Sequence, residues 1–426
     1  MLNLYKYIMS QDTETIEELD NLQKSDVDNL IRNIIDQISN PDRRLIFLCG
    51  AGVSIAAGLP GIDDLFENVK EILEKKSSKE SDNGYLEELG YLSELFADSE
   101  GLNIEEIINH IRDLQRIKII NPSSLANTIR NYNFTELDKA ITNAIFSSLT
   151  PSNDKWKSLH GLLCKYIRKN YISKPSRKPP EIFTTNYDLL FEKALEYSNI
   201  RYFDGFSGGL QPKFIPESVM AEASDTDNYM PRGWLRLWKM HGSINWRMKK
   251  DSNQVIRVGD SEPKTSQKCA IFPSREKVEE SQLGPFGVLR DRFYSVLKKS
   301  EVVLIILGYS FRDEHLNSLI KQASAANPRL AILIFDYGTS EKSLSKPEFF
   351  KQLSNSTVIG PTSVLIGGIE YLWDNPSDME RFNEFFNEES EEDQEIECKL
   401  VDFKEFVKFL NIISQWGQNF ILEDDE

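Results

Sequence analysis

Four short segments hold residues whose types and spacing can do chemistry. The first is Gly50-Ala51-Gly52-Val53-Ser54-Ile55-Ala56-Ala57-Gly58-Leu59-Pro60. It follows an apolar run and precedes a helical stretch, so its glycines let backbone amides approach a diphosphate while the helix start favours negative charge. The usual dehydrogenase fingerprint is absent, because Ile55 holds the third glycine position and no acidic residue ends a second strand about 20 residues on. Hydride transfer is therefore disfavoured. The second is Thr184-Thr185-Asn186-Tyr187-Asp188, an amide and a carboxylate two residues apart that can hold a water and a sugar hydroxyl without a metal. Either polar side chain would equally serve as the cap of a helix beginning near Leu189.

The third segment, Met240-His241-Gly242-Ser243, sets an imidazole beside small residues that permit close approach. Of the four histidines, His110 and His160 lie inside amphipathic helical patterns and read as packing or surface residues, and His315 reads as a cap-region residue. His241 is thus the candidate base. The fourth, Leu307-Gly308-Tyr309-Ser310-Phe311-Arg312-Asp313, reads as strand, glycine turn and helix start, and could set Gly308 and Ser310 against a ribose or adenine.

The elements that must position these segments are short apolar strands alternating with helices. Strands are expected at Arg44–Cys49, 181–185, 235–240, 270–272, 302–307, 330–335 and 364–366, and helices at 189–197, 287–299 and 313–325. This alternation predicts an α/β fold, a doubly wound and mostly parallel Rossmann-like sheet. A large helical insertion over about 66–170 shows best at Ile104, Ile107, Ile108 and Ile111, and both termini read as helical. The expected organisation is an N-terminal helical segment, 1–40, a catalytic domain, 41–378, and an acidic, partly helical C-terminal segment, 379–426.

The 426 residues contain 67 Asp and Glu against 50 Lys and Arg, a net charge of −17. Residues 378–426 alone account for −12 of it, so the near-neutral remainder stays open to a nucleotide. Hydrophobic residues at 40% and charged residues at 27% exclude collagen, coiled coil and wholesale disorder. Four widely spaced cysteines form no zinc pair and no disulfide framework. With no apolar run near the ~20 residues of a membrane helix and no secretory signal, a cytoplasmic location is expected. The basic stretch Lys165, Arg168, Lys169, Lys174, Arg177 and Lys178 reads as a solvated loop, so direct nucleic-acid binding is not expected.

The ordered set GAGVS with AGLP, TTNYD, KMHGS and LGYSF, spanning residues 45–313, resembles the sirtuin superfamily of NAD-consuming enzymes. The resemblance implies NAD as substrate, with Gly50, Ala51, Gly52, Ser54, Gly58, Pro60, Thr185, Gly308 and Ser310 around the cofactor. It also implies Asn186 and Asp188 at the nicotinamide ribose and His241 as general base. Deacylating sirtuins carry a four-cysteine zinc module after the histidine motif and Asp-Phe-Arg after the first motif's proline. Here Ile244 to Lys268 has no cysteine, and Gly61-Ile62-Asp63 follows Pro60. No metal is therefore expected. The chain is similar instead to bacterial antiphage sirtuin-like effectors that deplete NAD. That implies an NAD glycohydrolase, a homo-oligomer, and a partner such as a HerA-type hexameric ATPase. The alternatives are a zinc-free deacylase and a catalytically silent subunit that senses NAD or ADP-ribose.

Overall fold

The computed structural model describes residues 22, 24–77, 85–95, 104–121, 131–174, 177–221, 233–248, 254–259, 268–271, 285–339, 342–373, 380–388 and 396–423. At its centre is β1 (Arg44–Cys49), six residues buried on both faces, as its uninterrupted apolar run requires. β1 pairs in parallel with β2 (Glu181–Thr184) on one side and with β10 (Val302–Leu307) on the other. Between them in sequence come β3 (Tyr202–Phe203), β4 (Phe206–Ser207), β5 (Lys213–Phe214), β6 (Leu235–Lys239), β7 (Gly242–Met248), β8 (Val255–Arg257) and β9 (Lys268–Ile271). After them run β11 (Ala331–Phe335), β12 (Ser356–Ile359), β13 (Ser363–Ile366) and β14 (Ile369–Leu372), and a separate hairpin of β15 (Phe386–Glu388) and β16 (Ile396–Cys398).

The main sheet has nine strands in the order β14-β13-β12-β11-β10-β1-β2-β6-β3. Every pair from β12 to β3 is parallel, and the β12–β13 and β13–β14 pairs at one edge are antiparallel, so β13 alone runs against the rest. The chain moves from β1 toward β2 and β6, then crosses to β10 on β1's other side. The gap between β1 and β10 is therefore the topological switch point, where open α/β sheets bind ligands. The doubly wound, mostly parallel arrangement is the one expected. A second sheet, β4-β5-β8-β7-β9, is antiparallel and was not foreseen in the sequence. Of the strand expected at 270–272, residue 272 lies outside the described residues.

Period-2 alternation sends the two faces of the sheet into two cores. Leu45, Phe47, Cys49, Val303, Ile305 and Leu307 face one side, packed with helices α1 (Lys24–Ser39), α7 (His160–Ile167), α8 (Leu190–Tyr197) and α11 (Phe403–Glu423). Ile46, Leu48, Phe183, Trp238, Leu304 and Ile306 face the other, with α9 (Pro285–Leu297) and α10 (Glu314–Ala326). The short helix α2 (Ala51–Ala56) leaves β1 directly. The insertion supplies α3 (Ile62–Ser77), α4 (Tyr85–Leu95), α5 (Ile104–Ile120) and α6 (Phe134–Ser148), which close a third core of their own. That third core also takes in Tyr187, Leu189 and Ile244, so the insertion is packed against two of the chemical segments. For the N-terminal segment, helix is seen over Lys24–Ser39, and residues 1–21 lie outside the described residues.

Strand register brings the chemical segments together. Cys49 pairs with both Leu307 and Thr184, and Thr184 pairs with Lys239, so four strands end on one level. The ladder runs one residue further through Gly50 N–H to Leu307 O (3.0 Å), Thr185 N–H to Cys49 O (3.1 Å) and Met240 N–H to Thr184 O (2.8 Å). Gly50, Thr185, His241 and Gly308 all follow at the same carboxyl edge.

Beneath that edge, at the other end of β2, Glu181 is fully buried. It accepts ion pairs from Arg44 (2.6 Å) and Arg236 (3.0 Å), a bond from Trp238 Nε1 (2.7 Å), and a further pair from Arg292. Removing one side of such a cluster leaves buried charge, which makes it a fixed floor beneath the site.

Candidate active site

Two close backbone approaches shape the switch point. Gly50 and Gly52 pass so near the turn after β10 that a Cβ on Gly50 would lie 2.4 Å from Gly308 O, and one on Gly52 would lie 2.6 Å from Gly308 Cα. Gly308 itself has φ +58°, and Gly52 N–H donates to its carbonyl at 2.9 Å. Three glycines therefore serve mutual packing of the first and fourth segments. Gly58, at φ +90°, ends α2, with its N–H donating to Ile55 O at 2.8 Å.

This packing leaves a cavity of about 480 Å³ over the carboxyl edge. It falls within the range of roughly 300–1,000 Å³ common to small-molecule sites. Ala51, Ser54 and Pro60 line it from the first segment, Thr185, Asn186, Tyr187 and Asp188 from the second, His241 from the third, and Tyr309, Ser310, Arg312 and Asp313 from the fourth. The sequence-derived candidates Asn186, Asp188, His241, Ala51, Ser54, Pro60, Thr185 and Ser310 thus meet around one space. Gly50, Gly52, Gly58 and Gly308 are not among its described lining residues.

The polar side chains are tied together. Asn186 Nδ2 donates to Gly50 O and to Ser54 Oγ, each at 2.8 Å, and Ser54 Oγ donates to Asp188 Oδ2 at 2.7 Å. Asp188 Oδ1 accepts Leu190 N–H at 2.9 Å, so this carboxylate helps start α8 while its other oxygen faces Ser54. One oxygen of Asp188 thus serves the start of α8 while the other is turned to the cavity side through Ser54. Both residues are buried, and the bonds fix their rotamers across segments 132 to 136 residues apart. Lys239, buried behind them, bonds to Asp188 O and forms an ion pair with Glu192 at 3.4 Å. On the other wall, His241 Nε2 lies 2.9 Å from Asp313 Oδ2. His315, at the start of α10, also lines the cavity.

The insertion adds groups that the segments did not predict. Glu105 and Glu106, in the first turn of α5, reach the cavity, and Tyr187 Oη donates to Glu105 Oε1 at 2.6 Å. Burial raises the Glu105 carboxyl above its usual range, although the neighbouring His241 charge and the Tyr187 bond pull it down. For Asp313, burial pushes upward, but the His241 hydrogen bond, the His241 charge and two backbone amides outweigh it, and the carboxyl is lowered. Glu105 and Asp313 thus sit in opposed electrostatic settings around the same imidazole.

His160 lies fully buried, edge-on to Phe191 and Phe403 at 4.9 and 5.2 Å, with neither ring nitrogen bonded among the described residues. It is a packing residue. Cys49, Cys164 and Cys398 are buried free thiols raised by burial, so they are poor nucleophiles. No group of three or more His, Cys, Asp and Glu that could hold a metal ion occurs among the described residues. Among the same residues no helix is long and apolar enough to cross a membrane.

The cavity at the switch point of the parallel sheet lies where open α/β sheets bind their ligands. Residues 180–358 match the model of the SIR2-like domain. That match takes in Asn186, His241 and Gly308 but begins after the first glycine segment. Among solved structures, the chain is similar to a complex of a mutant Sir2 homologue with ADP-ribose (14% identity, TM-score 0.36, 74% of this chain and 90% of that one). It is similar also to a Sir2 homologue–NAD complex (12% identity, TM-score 0.36, 77% of this chain and 87% of that one). No curated protein matches.

Proposed function

We propose that the protein is an NAD glycohydrolase that cleaves the bond between nicotinamide and ribose. The observation that carries this reading is the convergence of Asn186, Asp188 and His241, from two motifs 53 residues apart, in one cavity at aligned strand ends. The SIR2-like match supports NAD-using chemistry for the same stretch of chain.

In the proposed reaction the C–N bond breaks with its electron pair passing to the pyridinium nitrogen, and nicotinamide departs neutral. No acid has to protonate it, unlike the leaving group of an ordinary glycoside. What remains is to stabilise positive charge growing on the ribose and to supply water. The Asp188 carboxylate, fixed by Ser54 and the start of α8, supplies negative charge. Asn186 positions water or the ribose, His241 accepts a proton from the attacking water, and the new C–O bond yields ADP-ribose. The finer biological reading is NAD depletion as an antiphage effector, acting as a homo-oligomer alongside a HerA-type ATPase. It is supported by the motif resemblance and by the lack of cysteine between Ile244 and Lys268.

The test is hydrolysis in ¹⁸O-water with mass spectrometry of the products. The proposal predicts nicotinamide and one ¹⁸O in ADP-ribose. An acyl-ADP-ribose formed only with an acylated peptide would replace it with deacylation, and bound, intact NAD would replace it with a sensing role.

A further inference from the structure

We infer that Asp313 is a positioning residue that fixes the tautomer of His241, an inference that rests on the glycohydrolase reading only for its kinetic consequence. Asp313 stands at the N-cap of α10, six residues after the end of β10, and its two oxygens have separate duties. Oδ1 accepts the N–H groups of His315 (2.9 Å) and Leu316 (3.1 Å). Oδ2 lies 2.9 Å from His241 Nε2. A carboxylate only accepts, so Nε2 must carry the hydrogen in the neutral ring, and the lone pair is left on Nδ1. A base whose second nitrogen is held by a carboxylate is both oriented and stabilised once it takes up a proton. The amides of α10 hold the carboxylate itself, so the imidazole is referred to the rigid frame of β10 and α10 rather than to its own turn after β6.

The isosteric substitution separates this role from capping. In Asp313→Asn the helix amides still need an acceptor, and Asn is as good an N-cap as Asp. The amide oxygen therefore stays on His315 and Leu316, and the NH₂ group turns to His241 Nε2. Nε2 then becomes the acceptor, the hydrogen moves to Nδ1, and the lone pair needed by a base is spent.

The experiment is ¹⁵N NMR of ring nitrogens in full-length protein labelled at its four histidines, with His241 assigned by loss of its signals in His241→Ala. Wild type should show His241 protonated at Nε2, and Asp313→Asn should show it at Nδ1 with an unchanged circular dichroism spectrum. NAD turnover should fall on the order of 10³-fold in that variant, with the NAD dissociation constant within about twofold of wild type. Nδ1 protonation in wild type, an unchanged tautomer in the variant, or wild-type turnover in the variant would each overturn the inference. Wild-type protein without NAD turnover would refute the glycohydrolase reading, while the tautomer measurement would still decide the role of Asp313.

Discussion

Replacing Gly308 by Ala tests whether the close approach of the first and fourth segments holds the cavity wall. Two costs are expected. The first is conformational, since φ is +58° and an L side chain in the left-handed region costs about 1–2 kcal/mol. The second is steric. The new Cβ would lie 2.7 Å from Gly52 Cα and from Val53 N, which are backbone atoms that cannot rotate away. Forcing extra volume into such a contact costs about 1–3 kcal/mol. Gly58→Ala is the internal reference, because Gly58 also has positive φ (+90°) but meets only Asn153 Nδ2 at 3.4 Å and Lys155 Cδ at 4.0 Å, both side-chain atoms. The expected loss is then about 2–5 kcal/mol for Gly308→Ala and about 1–2 kcal/mol for Gly58→Ala. Urea unfolding followed by circular dichroism gives both as midpoint shifts at constant slope. Equal losses in the two variants would refute the idea that the glycine contact, rather than backbone conformation alone, is what the sequence protects there.

Further expectations follow from the polar groups. Asn186→Ala and His241→Ala should each abolish NAD loss while retaining a native circular dichroism spectrum, and wild-type turnover in both would unseat the site. Burial raises Glu105, so its folded form holds a proton that the unfolded chain has lost, and its stabilising effect fades as pH rises through the raised value. Glu105→Gln should therefore increase stability at pH 8 relative to wild type, measured by thermal unfolding, with the difference vanishing below the ordinary Glu range. Burial lowers His160 from 6.5 to about 4, so the unfolded chain takes up a proton first and stability falls as pH drops from about 6.5 toward 4. Replacing it between Phe191 and Phe403 by Phe should remove that part of the acid sensitivity, and an unchanged slope in pH-dependent unfolding would count against it.

The parallel sheet was legible because β1, β10 and β11 are buried on both faces and so read as unbroken apolar runs. The antiparallel sheet was not. Its strands β4 and β5 are two residues each, too short for any period to show. β7 alternates Ser243, Asn245 and Arg247 with Ile244, Trp246 and Met248, but six of its seven residues are buried, so the alternation does not separate a core face from a solvent face. β12 begins with Ser356 and Thr357, which mask its strand character.

The residues of the candidate site were legible where strand ends bring them to one cavity, as for Asn186, Asp188 and His241. Glu105 could not be found this way, since α5 reaches the cavity only through packing of the insertion against Tyr187 and Ile244. Asp313 carried a usable signal, a carboxylate at a helix start just beyond a central strand. In the sequence alone it reads only as part of a helix start, because the partner that gives it chemical meaning lies 72 residues away.

The most direct test of the account is nicotinamide release from NAD by the purified chain, quantified by chromatography for wild type and Asn186→Ala side by side. The account predicts equimolar nicotinamide and ADP-ribose from wild type and neither from the variant. Equal release by both proteins would contradict it.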